Sequence, residues 1–226
     1  MNESIKILSA TAVSLAFMHT LLGPDHYLPF IVLSEAKKWS TKKTMLITLL
    51  CGMGHVLSSV LLGFIGIAAG VALSKLVGIE EVRGSIAAWL FIVFGLIYMI
   101  ISIYKLHKKK EHTHSHFGVE HSHIDGSNPD EVVKTTPWII FLIFVFGPCE
   151  PLIPLVMYPA AQSDIKGVIW VSLLFSLVTI ATMMTIVFIF KMGFSKINLK
   201  SIEKYNNVIA GAVIFLAGMA IQFLGL

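Results

Sequence analysis

The chain has 226 residues, of which 56% are hydrophobic and 13% charged, where a soluble domain carries roughly 25% charged residues. Its mean hydropathy of +0.82 excludes an ordinary soluble globular protein. The net charge of +4 comes from lysines flanking apolar runs, so it does not mark a nucleic-acid surface, and neither a nucleotide-binding motif nor an enzyme signature is present.

Residues 44–74, 84–104, 167–190 and 205–226 contain no Asp, Glu, Lys or Arg, and each is long enough to cross a bilayer as a helix of ~20 residues. Two further apolar segments, 5–34 and 137–163, are interrupted by Gly-Pro. The pattern predicts an all-α polytopic membrane protein with six transmembrane helices, since helices satisfy their own backbone in lipid. The first segment lacks a basic leader and a clean small-x-small cleavage site, and is expected to remain in the mature protein.

In chain order, the first segment runs through His19 to Gly23-Pro24-Asp25-His26-Tyr27-Leu28-Pro29 and resumes to Ser34. Loop one, Glu35 to Lys43, holds four lysines. The second span carries Cys51-Gly52-Met53-Gly54-His55-Val56-Leu57-Ser58-Ser59, which sets His55, Ser58 and Ser59 on one helical face. The third, Gly84 to Tyr104, is apolar throughout. Residues 107–123 then hold six of the nine histidines, namely His107, His112, His114, His116, His121 and His123. This polar loop suits weak, multi-site binding of late transition metals. The fourth segment carries Gly147-Pro148-Cys149-Glu150-Pro151-Leu152-Ile153-Pro154, 124 residues after the first break and in the same register. The fifth places hydroxyls at Ser176, Thr179, Thr182 and Thr185, and the sixth offers Asn206, Asn207, Gly211 and Gly218.

Loops one, three and five contain 13 of the 17 basic residues, which puts those loops and the histidine run in the cytoplasm and both termini outside the cell membrane. Three spans per half give the halves opposite orientations. The organisation is therefore read as two inverted three-helix repeats with broken first helices, 1–105 and 137–226, joined by the loop 106–136. Transporters of this architecture carry their site near the midplane, at the broken helices.

Ionisable groups inside a membrane are expensive, roughly 2.5–3.5 kcal/mol each on insertion scales. Asp25, His26, His19 and His55 therefore form the candidate site, and three imidazoles with a carboxylate suit Ni, Co, Zn or Cu better than Mg or Ca. Cys149 and Glu150 occupy the matching break and are candidate ligands facing the first set, the thiolate favouring soft metals. The loop residues His112, His114, His116, His121 and His123 complete the candidate metal-binding set. The bland alternatives are hydrated interfacial positions for Asp25 and His26, an interhelical hydrogen bond for His19, and packing for Cys149 and Cys51.

The combination of His19, Asp25-His26, Gly54-His55 and a histidine-rich central loop resembles the nickel/cobalt transporter superfamily, in its urease-accessory-type branch. That resemblance implies a metal path lined by His19, Asp25, His26 and His55. It departs from the family pattern in having five residues between His19 and Asp25, and Val56 directly after His55. Gly147-Pro148-Cys149-Glu150-Pro151 is similar to the Pro-Cys-x-x-Pro motifs of the thiol–disulfide transporters of cytochrome c biogenesis, which place one cysteine in each half; here the matching first-half position is Asp25.

The leading expectation is an integral membrane transporter of a divalent transition-metal ion, nickel or cobalt, needing no resident cofactor and no nucleic acid, with the lipid bilayer and a cytosolic metal chaperone as candidate partners. The alternatives are a transmembrane thiol–disulfide electron carrier using Cys149 and Cys51, and an exporter of a small anion or amino acid on the same scaffold.

Overall fold

The computed structural model describes residues 3–111, 129–162, 164–194 and 203–225. Among these no strand occurs, and the elements are α1 (Glu3–Leu22), a 3₁₀ turn (Pro24–His26), α2 (Leu28–Ala36), α3 (Thr41–Ala68), α4 (Leu73–Glu111), α5 (Pro129–Phe146), α6 (Leu152–Ala161), α7 (Ile165–Phe194), a second 3₁₀ turn (Glu203–Tyr205) and α8 (Asn206–Leu224). The histidine-rich residues 112–123 lie outside the described residues; His107, on α4, is exposed, with Nδ1 2.9 Å from the Ile103 carbonyl.

Among the described residues, five helices are long and apolar enough to cross a membrane: Ile5–Leu22, Thr41–Ala68, Leu73–Lys108, Ile165–Gly193 and Glu203–Leu224. The chain is thus an all-helical, multi-pass membrane protein. The layout differs from six plain spans in two places. The fourth expected segment is divided into the short apolar helices Thr136–Phe146 and Leu152–Ala161. Gly147 and Pro148 stop the first piece, because a proline supplies no N–H and its ring clashes with the preceding turn. In the first segment the break at Gly23-Pro24 leaves α1 as 20 residues, about 30 Å, which is itself long enough to span.

The breaks recur in register. α1 ends at Leu22 and α5 at Phe146; α2 begins at Leu28 and α6 at Leu152; α3 begins at Thr41 and α7 at Ile165, each pair 124 residues apart. α4 is the exception to the expected boundaries, starting at Leu73 rather than Gly84. Glu80 and Arg83 are charged, but they pair with each other one turn apart, so the helix runs through them.

α1 packs on α7, α3 contacts both α5 and α7, and α8 packs along the middle of α4. The α4–α8 seam is close because Gly211 and Gly218 sit on it: an added Cβ would fall 2.6 Å from the Met99 nitrogen and 2.8 Å from the Ile92 nitrogen, respectively. Two apolar clusters result. One joins Phe30, Leu33, Cys51, Ile140, Phe144, Met183 and Ile214; the other joins Ala12, Ala16, Cys149, Leu152, Val171 and Phe175. Leu57, Leu61 and Ile65 line an exposed stripe of α3, as expected for a face solvated by lipid.

Candidate metal centre

The first break builds most of the site. Gly23 caps α1 by donating its N–H to the His19 carbonyl at 3.0 Å, and His26 N–H returns to the Gly23 carbonyl at 3.1 Å. This tight turn folds the His26 ring back over Gly23 and toward His19. The glycine is required sterically, since a Cβ at position 23 would lie 2.6 Å from His26 Nδ1 and 2.9 Å from Asp25 Oδ1. The third ring comes from α3, where His55 faces inward from the middle of an apolar helix.

The three imidazoles stack edge to face. The His19 and His26 ring centroids are 4.7 Å apart and those of His26 and His55 5.0 Å apart. One ligand nitrogen from each ring lies within 4.8 Å of the other two. His26 and His55 are each 2% exposed. Their Nδ1 atoms face oxygen acceptors: His26 the Gly23 carbonyl and Asp25 Oδ1, both at 3.1 Å, and His55 the Phe144 carbonyl at 3.3 Å. These acceptors favour a proton on Nδ1 of both rings, which leaves Nε2 as the inward ligand atom of a neutral imidazole. The Nε2 atoms of His19, His26 and His55 are buried and have no hydrogen-bond partner among the described residues. Buried polar groups normally find partners, so three ring nitrogens left unpartnered in one cluster suit a ligand with nitrogen affinity. With oxygen acceptors behind two of the rings, this donor set could hold a late transition-metal ion.

The other predicted residues fall around this trio. Asp25 stands behind His26 as its hydrogen-bond acceptor and contributes no atom to the close group. Glu150 lines the same cavity of about 720 Å³. Cys149 is fully buried in the second apolar cluster, and its N–H donates to Glu80 Oε2 at 3.0 Å. Cys51 belongs to the first cluster, and both thiols are free.

Sequence reasoning missed the Phe144 carbonyl, which backbone chemistry hides, and it missed Glu80, Glu81 and Arg83. Their signal was present as an i, i+3 acid–base pair immediately before an uncharged run. Glu81 lines the cavity with Asp25 and Glu150, and no lysine or arginine is among its lining residues.

The family model for the cytochrome C biogenesis protein transmembrane region matches residues 28–220. The matched stretch contains His55, Cys51 and Cys149 and begins just after the first break. It supports the similarity carried by the second Gly-Pro motif and gives no support to the nickel/cobalt branch. No curated protein and no solved structure matches the chain.

Proposed function

The chain belongs to the cytochrome c biogenesis transmembrane-region family, and on the geometry of its histidines we propose that it is a membrane carrier whose working site is the His19–His26–His55 centre and whose cargo is a late transition-metal dication. One observation carries the proposal: two buried imidazoles and one half-buried imidazole each bring a ring nitrogen within 4.8 Å of the other two, and their buried Nε2 atoms have no hydrogen-bond partner among the described residues. Three neutral nitrogen donors select Ni²⁺, Co²⁺, Zn²⁺ or Cu²⁺ over Mg²⁺ and Ca²⁺. The acidic residues Asp25, Glu81 and Glu150 around the cavity favour the approach of a cation and disfavour a small anion. In this reading the two halves form an inverted repeat, the lysine-rich loops face the cytoplasm, and transport proceeds as one half moves against the other.

The experiment is elemental analysis of cells expressing the wild type, His26→Ala and His55→Ala at equal levels, grown with added nickel or cobalt. The wild type should change cellular metal content and both variants should abolish the change. Metal content matching the empty vector for every ion tested would remove metal transport as the function.

The family match by itself favours the second reading, a thiol–disulfide electron carrier using Cys51 and Cys149, over nickel or cobalt transport. The two cysteines sit in different apolar clusters, and a disulfide requires Cα atoms within roughly 7 Å, so this reading asks the two thiols to leave their separate clusters and meet. Trapping the thiols of both cysteines in living cells, with and without an oxidant, tests it. A disulfide between them, lost in Cys51→Ser and in Cys149→Ser, would replace the metal reading.

A further inference from the structure

We propose that Arg83 and Glu80 are positioning residues that clamp the second helix break and thereby hold His55 in register with the other two histidines. The inference rests on the metal-centre reading above. It concerns residues that touch none of the three ligand nitrogens.

Arg83 reaches from α4 into the space between α3 and the end of α5. Its Nη2 donates to the Val145 carbonyl at 2.9 Å, the Gly147 carbonyl at 3.2 Å and Ser58 Oγ at 2.7 Å. Its Nη1 donates to Ser59 Oγ at 3.3 Å and to Glu80 Oε1. Glu80 is wholly buried, and its Oε2 accepts from Ser59 Oγ at 3.2 Å and from the Cys149 N–H at 3.0 Å. One ion pair thus satisfies backbone groups freed by the interrupted helix on both sides of Pro148.

The coupling to His55 runs along two short paths. Ser58, bound to Arg83, donates to the His55 carbonyl at 2.8 Å. Phe144, whose carbonyl faces His55 Nδ1, directly precedes Val145, whose carbonyl Arg83 holds. If the Val145–Gly147 strand of backbone shifts, the Phe144 carbonyl moves with it, and the His55 ring loses the acceptor that fixes its tautomer. The first break has no equivalent clamp in register: the positions 124 residues after Glu80 and Arg83 are Lys204 and Asn207, and Asn207 Oδ1 instead accepts from the Tyr98 hydroxyl.

The fork geometry is essential. A lysine carries the charge but cannot donate in parallel to two carbonyls, two hydroxyls and a carboxylate. The test uses purified full-length protein in lipid nanodiscs with Cys51→Ser as background, leaving Cys149 as the only thiol. Maleimide labelling of Cys149 reads the clamp, and titration with Co²⁺ reads the site. Arg83→Lys should speed labelling markedly and weaken cobalt binding by about 10–100-fold, the usual range for loss of an outer-shell partner. In a His55→Ala background it should weaken cobalt binding no further. Ser58→Ala removes one contact and leaves the ion pair intact, so it carries the same test in milder form if Arg83→Lys is not recovered folded. Labelling at the wild-type rate in both variants would overturn the clamp. Losses that add in the double variant would overturn its link to His55. Absence of cobalt binding by the wild type would instead remove the metal-centre reading, with labelling still deciding on the clamp.

Discussion

The His55 imidazole rests directly on the backbone of Gly147: a Cβ built there would lie 2.8 Å from Nδ1 and 3.2 Å from Cε1. The glycine of the second break is therefore a seat for a histidine on another helix, as Gly23 is for His26 in the first. Gly147→Ala should push the ring off the Phe144 carbonyl, destabilise the protein by about 1–3 kcal/mol through overpacking, and lower cobalt affinity by about 10-fold or more. Thermal unfolding and cobalt titration of the purified variant check this. Gly193→Ala, where an added Cβ meets nothing within 4 Å, is the neutral control.

Asp25 separates an outer role from a ligand role. If it only orients His26, Asp25→Asn keeps an oxygen acceptor for Nδ1 and loses the charge, so cobalt should still bind, weakened by about 10–100-fold. The visible spectrum of the bound Co²⁺ should keep its wild-type shape. A changed spectrum would mean that the carboxylate itself sits on the metal.

If the three histidines are ligands, protons and metal compete for the same ring nitrogens. Neutral imidazole binds the ion and the protonated ring does not, so binding releases protons. Affinity must therefore fall as pH is lowered, and transport should weaken with it. Transport of radioactive nickel by vesicles from neutral to acidic pH measures it; a flat profile would argue against histidine ligation.

The cysteines discriminate the two readings of function. Cys51→Ala and Cys149→Ala each remove a buried sulfur and should cost roughly 1 kcal/mol of stability or somewhat more. Metal transport should persist in both, because neither thiol belongs to the close ligand group. Loss of all activity in both variants, at unchanged expression, would favour the electron carrier.

Much of the centre was legible in the sequence because membrane segments expose their anomalies. His19, His26 and His55 stand out in apolar runs, and two Gly-Pro interruptions in one register announce paired breaks. Less legible was which residues form the inner group. Asp25 and His26 are neighbours in sequence, yet only the turn at Gly23 decides that the ring points inward and the carboxylate stays behind it. Cys149 occupies the matching position in the second break, but its side chain packs among Leu152, Val171 and Phe175. The start of α4 was hidden for an electrostatic reason. Glu80, Glu81 and Arg83 look like the edge of a span, whereas Glu80 and Arg83 pair within one turn, the carboxylate buried and the guanidinium half-buried.

The three histidines of the candidate centre all come from the first half of the chain, on α1, the turn after it, and α3, whereas the second half contributes a carbonyl. In the proposed carrier the two halves therefore have an unequal division of labour. A bound ion would travel as a passenger of the first half, with its whole coordination sphere of imidazoles moving as one piece. The second half could draw away without breaking a metal–ligand bond, and the energy of each stroke would be spent on sliding helices past one another rather than on stripping the cargo.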